Sequence, residues 1–206
     1  GDVMCNWETF RKQIPTGLNF SLSGIPYWNT DIGGFFNWPY HGGAENKAYH
    51  ELYTRWFQYG TFLPMQRSHG SGVKKEIYNL GKKGDWVYDS EEKYINLRYA
   101  LLPYLYSTGW QVTDNAGSFL RALFMDFNED KKVHTISNQY MFGKAFLVTP
   151  VTRNMYVFSD KEQWKDPYED FSKTGTQDVY LPKGTKWFDF WTGEALNGGQ
   201  MVTKEV

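Results

Sequence analysis

The stretch Gly24-Ile25-Pro26-Tyr27-Trp28-Asn29-Thr30-Asp31-Ile32-Gly33-Gly34-Phe35 joins a short apolar run to a carboxylate and then to paired glycines. Residues Ile25 to Thr30 predict a buried strand, and Gly33-Gly34 lets the backbone turn or approach a ligand without a Cβ in the way. Asp31 is then expected at the carboxyl end of that strand. Two flanking features repeat the arrangement at helix-sized intervals. Gly1-Asp2 lies before it, and Thr61-Phe62-Leu63-Pro64-Met65-Gln66-Arg67-Ser68-His69-Gly70 lies after it.

The segments between these features read as helices. From Asn6 to Leu18, Trp7, Phe10, Ile14 and Leu18 recur at helical spacing, with Pro15 and Gly17 expected to kink or end the helix. Asn37 to Gly43 reads as a loop on the side of Asp31. Glu45 to Tyr59 predicts a second helix with Ala48, Leu52, Trp56 and Tyr59 on one face, followed by a strand over Thr61 to Gln66. Two helix–strand units with polar strand exits imply a parallel sheet, open or closed. Ser71 to Asp89, with lysines at 74, 75, 82 and 83, reads as an exposed loop. A third helix is expected from Ser90 as its cap, with Pro103 bending it.

Beyond Asn115-Ala116-Gly117 the period changes. Phe119–Phe127, Tyr140–Val151, Met155–Phe158, Val179–Leu181 and Lys186–Trp191 are short, aromatic or β-branched, and bounded by turn residues, which predicts an antiparallel β unit. Asp160 to Thr176 reads as a polar insertion between strands. The fold class is therefore α/β followed by all-β, with the boundary near residues 116 to 120.

Composition narrows the partners. The chain has 206 residues, 41% of them hydrophobic, enough for one large domain or two small ones with real cores. Its net charge of -1 gives no electrostatic reason to expect a nucleic acid or an anionic membrane. No stretch reaches the roughly 18 apolar residues of a membrane span. Cys5 is the single cysteine, so neither an intrachain disulfide nor a thiolate metal cluster is expected. The opening at Gly1-Asp2, without a methionine, leads to the expectation of a segment of a longer polypeptide, and localisation stays open. Aromatics make up 19% of residues, which suits sugar stacking and equally suits a large core.

Each candidate group has a structural reading beside the chemical one. Asp2 could cap the first helix, Asp31 could be a buried carboxylate bonded to amides, and His69 beside Arg67 could cap the sheet. Together, on successive strand ends of one sheet, they fall on the rim where α/β folds build their sites.

Gly1-Asp2 with Trp7, then Ser23 to Phe35, then Trp56-Phe57-Gln58-Tyr59-Gly60-Thr61-Phe62 leading to Arg67-Ser68-His69-Gly70, closely resembles glycoside hydrolase family 31. Leu97 to Tyr104 and Gly184-Thr185-Lys186-Trp187-Phe188-Asp189 match in order as well, so the resemblance spans nearly the whole chain. It implies the last portion of a (β/α)8 TIM barrel over residues 1–117 and an antiparallel β-sandwich over 118–206. The implied activity is retaining hydrolysis of terminal α-linked xylose or glucose, with no metal or organic cofactor. By this resemblance Asp2 is the general acid/base, Asp31 lines or supports the sugar site, His69 binds sugar hydroxyls with Arg67 beside it, and Phe35 packs on the terminal sugar. The nucleophile, needed about 5 to 5.5 Å from the acid, belongs to an earlier barrel strand and is expected from the remainder of the same enzyme. An oligosaccharide substrate is implied. The alternatives are a non-catalytic carbohydrate-binding module and an inactive family scaffold.

Overall fold

The computed structural model describes residues 2–206; Gly1, half of the Gly1-Asp2 feature, lies outside them. Helices α1 (Trp7–Leu22), α2 (Lys47–Thr61), α3 (Ile77–Leu80), α4 (Trp86–Ala100) and α5 (Leu102–Asn115) build the first half.

Helix α1 starts at Asn6, whose Oδ1 accepts the Thr9 N–H at 2.7 Å. This side chain, and not Asp2, is the cap. Trp7, Phe10, Ile14 and Leu18 are buried as their spacing predicts. The expected interruption at Pro15 and Gly17 does not occur. Pro15 forfeits one hydrogen bond to the carbonyl of exposed Arg11, and Gly17 leaves the space that Trp28 fills, since a Cβ there would lie 2.8 Å from the indole. Burial of four large side chains outweighs the lost bond.

Helix α2 is the centre of the packing. Asn46 caps it by accepting from the Ala48 and Tyr49 amides. Leu52, Tyr53 and Trp56 are fully buried, and Phe10 stacks on Trp56 with centroids 4.7 Å apart. The strand expected over Thr61 to Gln66 is not formed, because α2 runs to Thr61 and turns follow. Arg98 of α4 fixes that stop by donating to the carbonyl of Thr61, the last residue of α2, and to those of Leu63 and Pro64 in the turn beyond it.

The strand expected over Ile25 to Thr30 is not formed either. Ile25 and Tyr27 are exposed, and Trp28 packs against Gly17 with its ring 4.8 Å from that of Phe20. Parallel pairing falls later, as single bridges from Met4 to Phe36 and from Phe36 to Ser71. Helix α4 begins at Trp86, four residues before the expected cap Ser90. The early start places the Trp86 indole 2.9 Å from Glu169 and buries Val87. The single helix expected to bend at Pro103 is instead two, divided at Leu101, with Pro103 in the first turn of α5.

The second half is antiparallel throughout its described pairings. Strands β1 (Leu120–Ala122), β2 (Tyr140–Phe142) and β3 (Phe146–Val148) form one sheet. Strand β4 (Val157–Phe158) pairs with β5 (Tyr168–Glu169), β6 (Thr176–Leu181) with β9 (Gln200–Glu205), and β7 (Lys186–Phe188) with β8 (Ala195–Asn197). Two expected strands are subdivided: α6 (Leu123–Asp126) replaces the end of Phe119–Phe127, and Tyr140–Val151 is a hairpin turning at Gly143. In place of two large sheets there are one three-stranded and three two-stranded ones. The insertion 160–176 contributes β5.

One core runs from Cys5 through α2 to Phe142 and Val157, and a smaller one gathers Leu123, Val133, Met141 and Tyr180. Glu51 of α2 joins the halves. It is 2% exposed, and its carboxylate accepts the amides of Met155 at 2.7 Å, Tyr156 at 3.2 Å and Val157 at 2.8 Å. Glu51→Ala orphans these amides and is expected to lower stability by about 2 to 3 kcal/mol in denaturant unfolding.

Glu91 of α4 is fully buried. Its Oε2 has no partner among the described residues, Thr54 Oγ1 lies 3.4 Å from its Oε1, and burial pushes its pKa up to about 8. The folded value exceeds the ordinary 4.5, so the parent's stability is whole below about pH 4.5 and is lost as pH rises toward 8. Glu91→Gln carries no such proton. Its stability relative to the parent is expected to grow by about 1.4 kcal/mol per pH unit across that window in unfolding measurements.

Candidate active site

Backbone hydrogen bonds bring three distant segments into register. The Val3 carbonyl accepts the Phe35 N–H at 2.7 Å and the Phe36 N–H at 3.0 Å, and Cys5 N–H donates to the Phe36 carbonyl at 2.8 Å. On the other side the Ser71 N–H donates to the Phe35 carbonyl at 2.8 Å. Phe35 therefore lies between the segment of Asp2 and that of His69. The site residues come before the bridging residues Met4, Phe36 and Ser71, and not after strands as expected.

Asp2 is exposed and stands ahead of the α1 cap, so its carboxylate has no capping duty. The Phe35 ring lies 5.5 Å from the imidazole of exposed His69 and 4.7 Å from Phe36, whose ring is 4.7 Å from that of exposed Trp38. An imidazole and an aromatic face thus meet on two of the three segments, and the third carries the exposed Asp2. Asp31 is 7% exposed, and its Oδ1 lies 3.6 Å from Nη1 of half-exposed Arg67. The two segments are tied again by Ile32 N–H donating to the Arg67 carbonyl at 3.2 Å. Asp31 is therefore buried and engaged with Arg67, unlike the exposed Asp2 and His69.

The turn from Asp31 to Phe35 closes with Gly34 N–H on the Asp31 carbonyl at 2.8 Å. Gly34 has φ +77, and a Cβ there would lie 2.7 Å from the Cys5 backbone. Only glycine lets this turn press against the chain that follows Asp2.

Lys75, read from sequence as part of an exposed loop, is 6% exposed. Its ammonium donates to the carbonyls of Ile32 at 2.9 Å, Gly34, and His69 at 2.8 Å. Burial pushes its pKa down to about 8. Tyr53 of α2 holds the same segment by donating to the Lys75 carbonyl at 2.8 Å and sharing a hydrogen bond with Ser68 Oγ at 2.6 Å. The one sequence signal was the alternation Val73, Lys75, Ile77, hidden by the neighbouring charges.

A recess of about 340 Å³ opens beside His69, lined by residues 68–70 and 73–76. A larger cleft of about 780 Å³ lies elsewhere, between α2, α4 and β3. Of the two, the smaller recess is the one that includes a candidate site residue, His69. Among the described residues no group of three or more His, Cys, Asp or Glu is placed to hold a metal ion.

Comparison with known proteins gives this arrangement a context. Residues 1–108 match the glycosyl hydrolases family 31 TIM-barrel domain, and residues 116–206 match the family 31 C-terminal domain. The chain belongs to glycoside hydrolase family 31. Among its family 31 relatives, an alpha-xylosidase of Saccharolobus solfataricus is 45% identical over 100% of this chain and 25% of its own length. Alpha-glucosidase 2 of Bacillus thermoamyloliquefaciens is 31% identical over 97% of this chain and 22% of its own length. The chain thus spans about a quarter of the length of the curated relatives it matches. Among solved structures, a family 31 alpha-xylosidase from Xanthomonas citri superposes with TM-score 0.85 at 40% identity, covering 100% of this chain and 21% of that one.

The family 31 chain offers a direct test of its site geometry. Gly34→Ala puts a methyl into the Cys5 backbone at positive φ and is expected to cost about 2 to 4 kcal/mol, read as a lowered unfolding midpoint.

Proposed function

We propose that the protein carrying this chain is a retaining exo-α-glycosidase acting on terminal α-linked xylose or glucose of oligosaccharides. The observation that supports this most is the backbone register that holds Asp2, Phe35 and His69 on adjacent segments. In this reading residues 1–117 are the last part of the catalytic barrel and 118–206 its proximal β-sandwich domain.

Asp2 serves as general acid and base. In the first step a second carboxylate attacks the anomeric carbon, the glycosidic C–O bond breaks, and the Asp2 proton passes to the departing oxygen. In the second step water attacks the same carbon, its proton passes to Asp2, and the bond to the nucleophile breaks. The nucleophile comes from a segment outside these 206 residues, because Asp31 is buried against Arg67 and keeps an orienting role. Phe35 offers its ring to the apolar face of the terminal sugar, and His69 hydrogen-bonds sugar hydroxyls. Two carboxylates suffice for the proton and bond changes, so the scheme uses no cofactor. Xylose is favoured over glucose by the alpha-xylosidase from Saccharolobus solfataricus, which is 45% identical.

Hydrolysis of an α-xylosyl disaccharide, followed by NMR, tests the proposal. The α-anomer of xylose is expected first, and Asp2→Asn is expected to lower kcat/KM by about 10² to 10⁴. First appearance of the β-anomer would exclude retention. Sugar binding without turnover, unchanged in Asp2→Asn, would favour the carbohydrate-binding module.

A further inference from the structure

We infer that Lys75 is a positioning residue for the sugar site, its ammonium drawing the carbonyls of Ile32, Gly34 and His69 to one point and so setting the spacing of Phe35 and His69. The inference rests on the reading of those two side chains as sugar contacts. Three features carry it. The lysine is almost fully buried although its neighbours Lys74 and Glu76 are exposed. Its three acceptors come from two segments, and each adjoins a site residue: Ile32 follows Asp31, Gly34 precedes Phe35, and His69 is itself the ligand candidate. An ammonium has three donors and no acceptor, which matches three carbonyls with nothing left over.

Helix α2 fixes the same residue from behind, through the Tyr53 hydroxyl on the Lys75 carbonyl. The clamp is therefore anchored to the core and not to the loop it organises. Where a backbone ladder would hold strand ends in register, the chain has single bridges at Phe36 and one further backbone bond from Ile32 to Arg67, and the lysine adds three more ties. Its position is that of a supporting group whose removal loosens a binding geometry without touching the reacting atoms.

Charge is required for the match. A neutral amine has two donors and one lone pair, so one of the three carbonyls would face the lone pair. The groups around the ammonium are the Cys5 thiol, which burial pushes up to about 12 and which stays neutral, the Asp31 carboxylate with its partner Arg67, His69 through its backbone oxygen, and the Tyr53 hydroxyl. Lys74 and Glu76 flank it in sequence and are exposed. With burial holding the lysine near 8, deprotonation falls within an accessible range.

The test uses the whole active protein and p-nitrophenyl α-xyloside. The parent's KM is expected to rise severalfold between pH 7 and 9.5, while Lys75→Arg, which stays charged and keeps its donors, holds KM level over that range. Lys75→Met is expected to raise KM at pH 7 by tenfold or more with a smaller change in kcat, and Lys75→Arg to recover most of that loss. A pH-independent parent KM, or a Lys75→Met protein that is less heat-stable but has the parent's KM, would overturn the inference. Phe35→Ala and His69→Ala are measured alongside. If both leave KM unchanged, the sugar-contact reading itself falls and the inference with it; if they raise KM and the lysine variants do not, only the inference falls.

Discussion

Phe35 and Phe36 hold the structure's functional half together through their backbone. Their amides meet the Val3 carbonyl, the Phe36 carbonyl meets Cys5, and the Phe35 carbonyl meets Ser71. Four hydrogen bonds thus fix segments that lie about 30 residues apart on either side. All else at the site follows from that register: the exposed acid on one flank, the imidazole on the other, and an aromatic face between them. Gly34 makes the close approach possible, and α2 supplies the floor on which the three segments rest.

Polar groups inside this protein are used to join parts that apolar packing alone would leave free to slide. Arg98 clasps the end of α2 and the turn that follows it through three carbonyls. Lys75 gathers two loop segments, and Glu51 gathers the amides at the start of β4. Each charge is buried together with backbone partners, and in that setting a hydrogen bond fixes direction as well as distance. The aromatic excess serves mainly the core, as in the Phe10–Trp56 stack, while Trp38 extends the Phe35 and Phe36 face outward.

The first two helices were legible because their apolar residues repeat with a strong period; the caps were not, since Asn6 and Asn46 do the capping and neither Asp2 nor Ser90 does. The change to antiparallel strands after residue 117 was legible for the same reason, from short aromatic runs between turns. The parallel strands were not. A run such as Ile25 to Thr30 has strand composition, but composition does not say whether a neighbour is there to receive its hydrogen bonds, and here Trp28 packs on Phe20 while Ile25 and Tyr27 stay exposed. At the candidate site, Asp2, Phe35 and His69 stand out through the family resemblance of the stretches that carry them, not through any one residue alone. Lys75 and Glu51 could not, since a charged residue in a polar stretch, or on a helix face, gives no sign of burial until partners from elsewhere in the chain arrive.

Glu51 and its amide partners at 155 to 157 are separated by more than a hundred residues. At about 5 to 20 residues per second a ribosome takes on the order of 5 to 20 s to cover that interval. During it α2 carries a carboxylate at a position that the finished fold seals from water. The helix under the site therefore waits on the β unit for its final burial, and a nascent chain halted before residue 157 holds the exposed face of α2 where holdase chaperones find their targets.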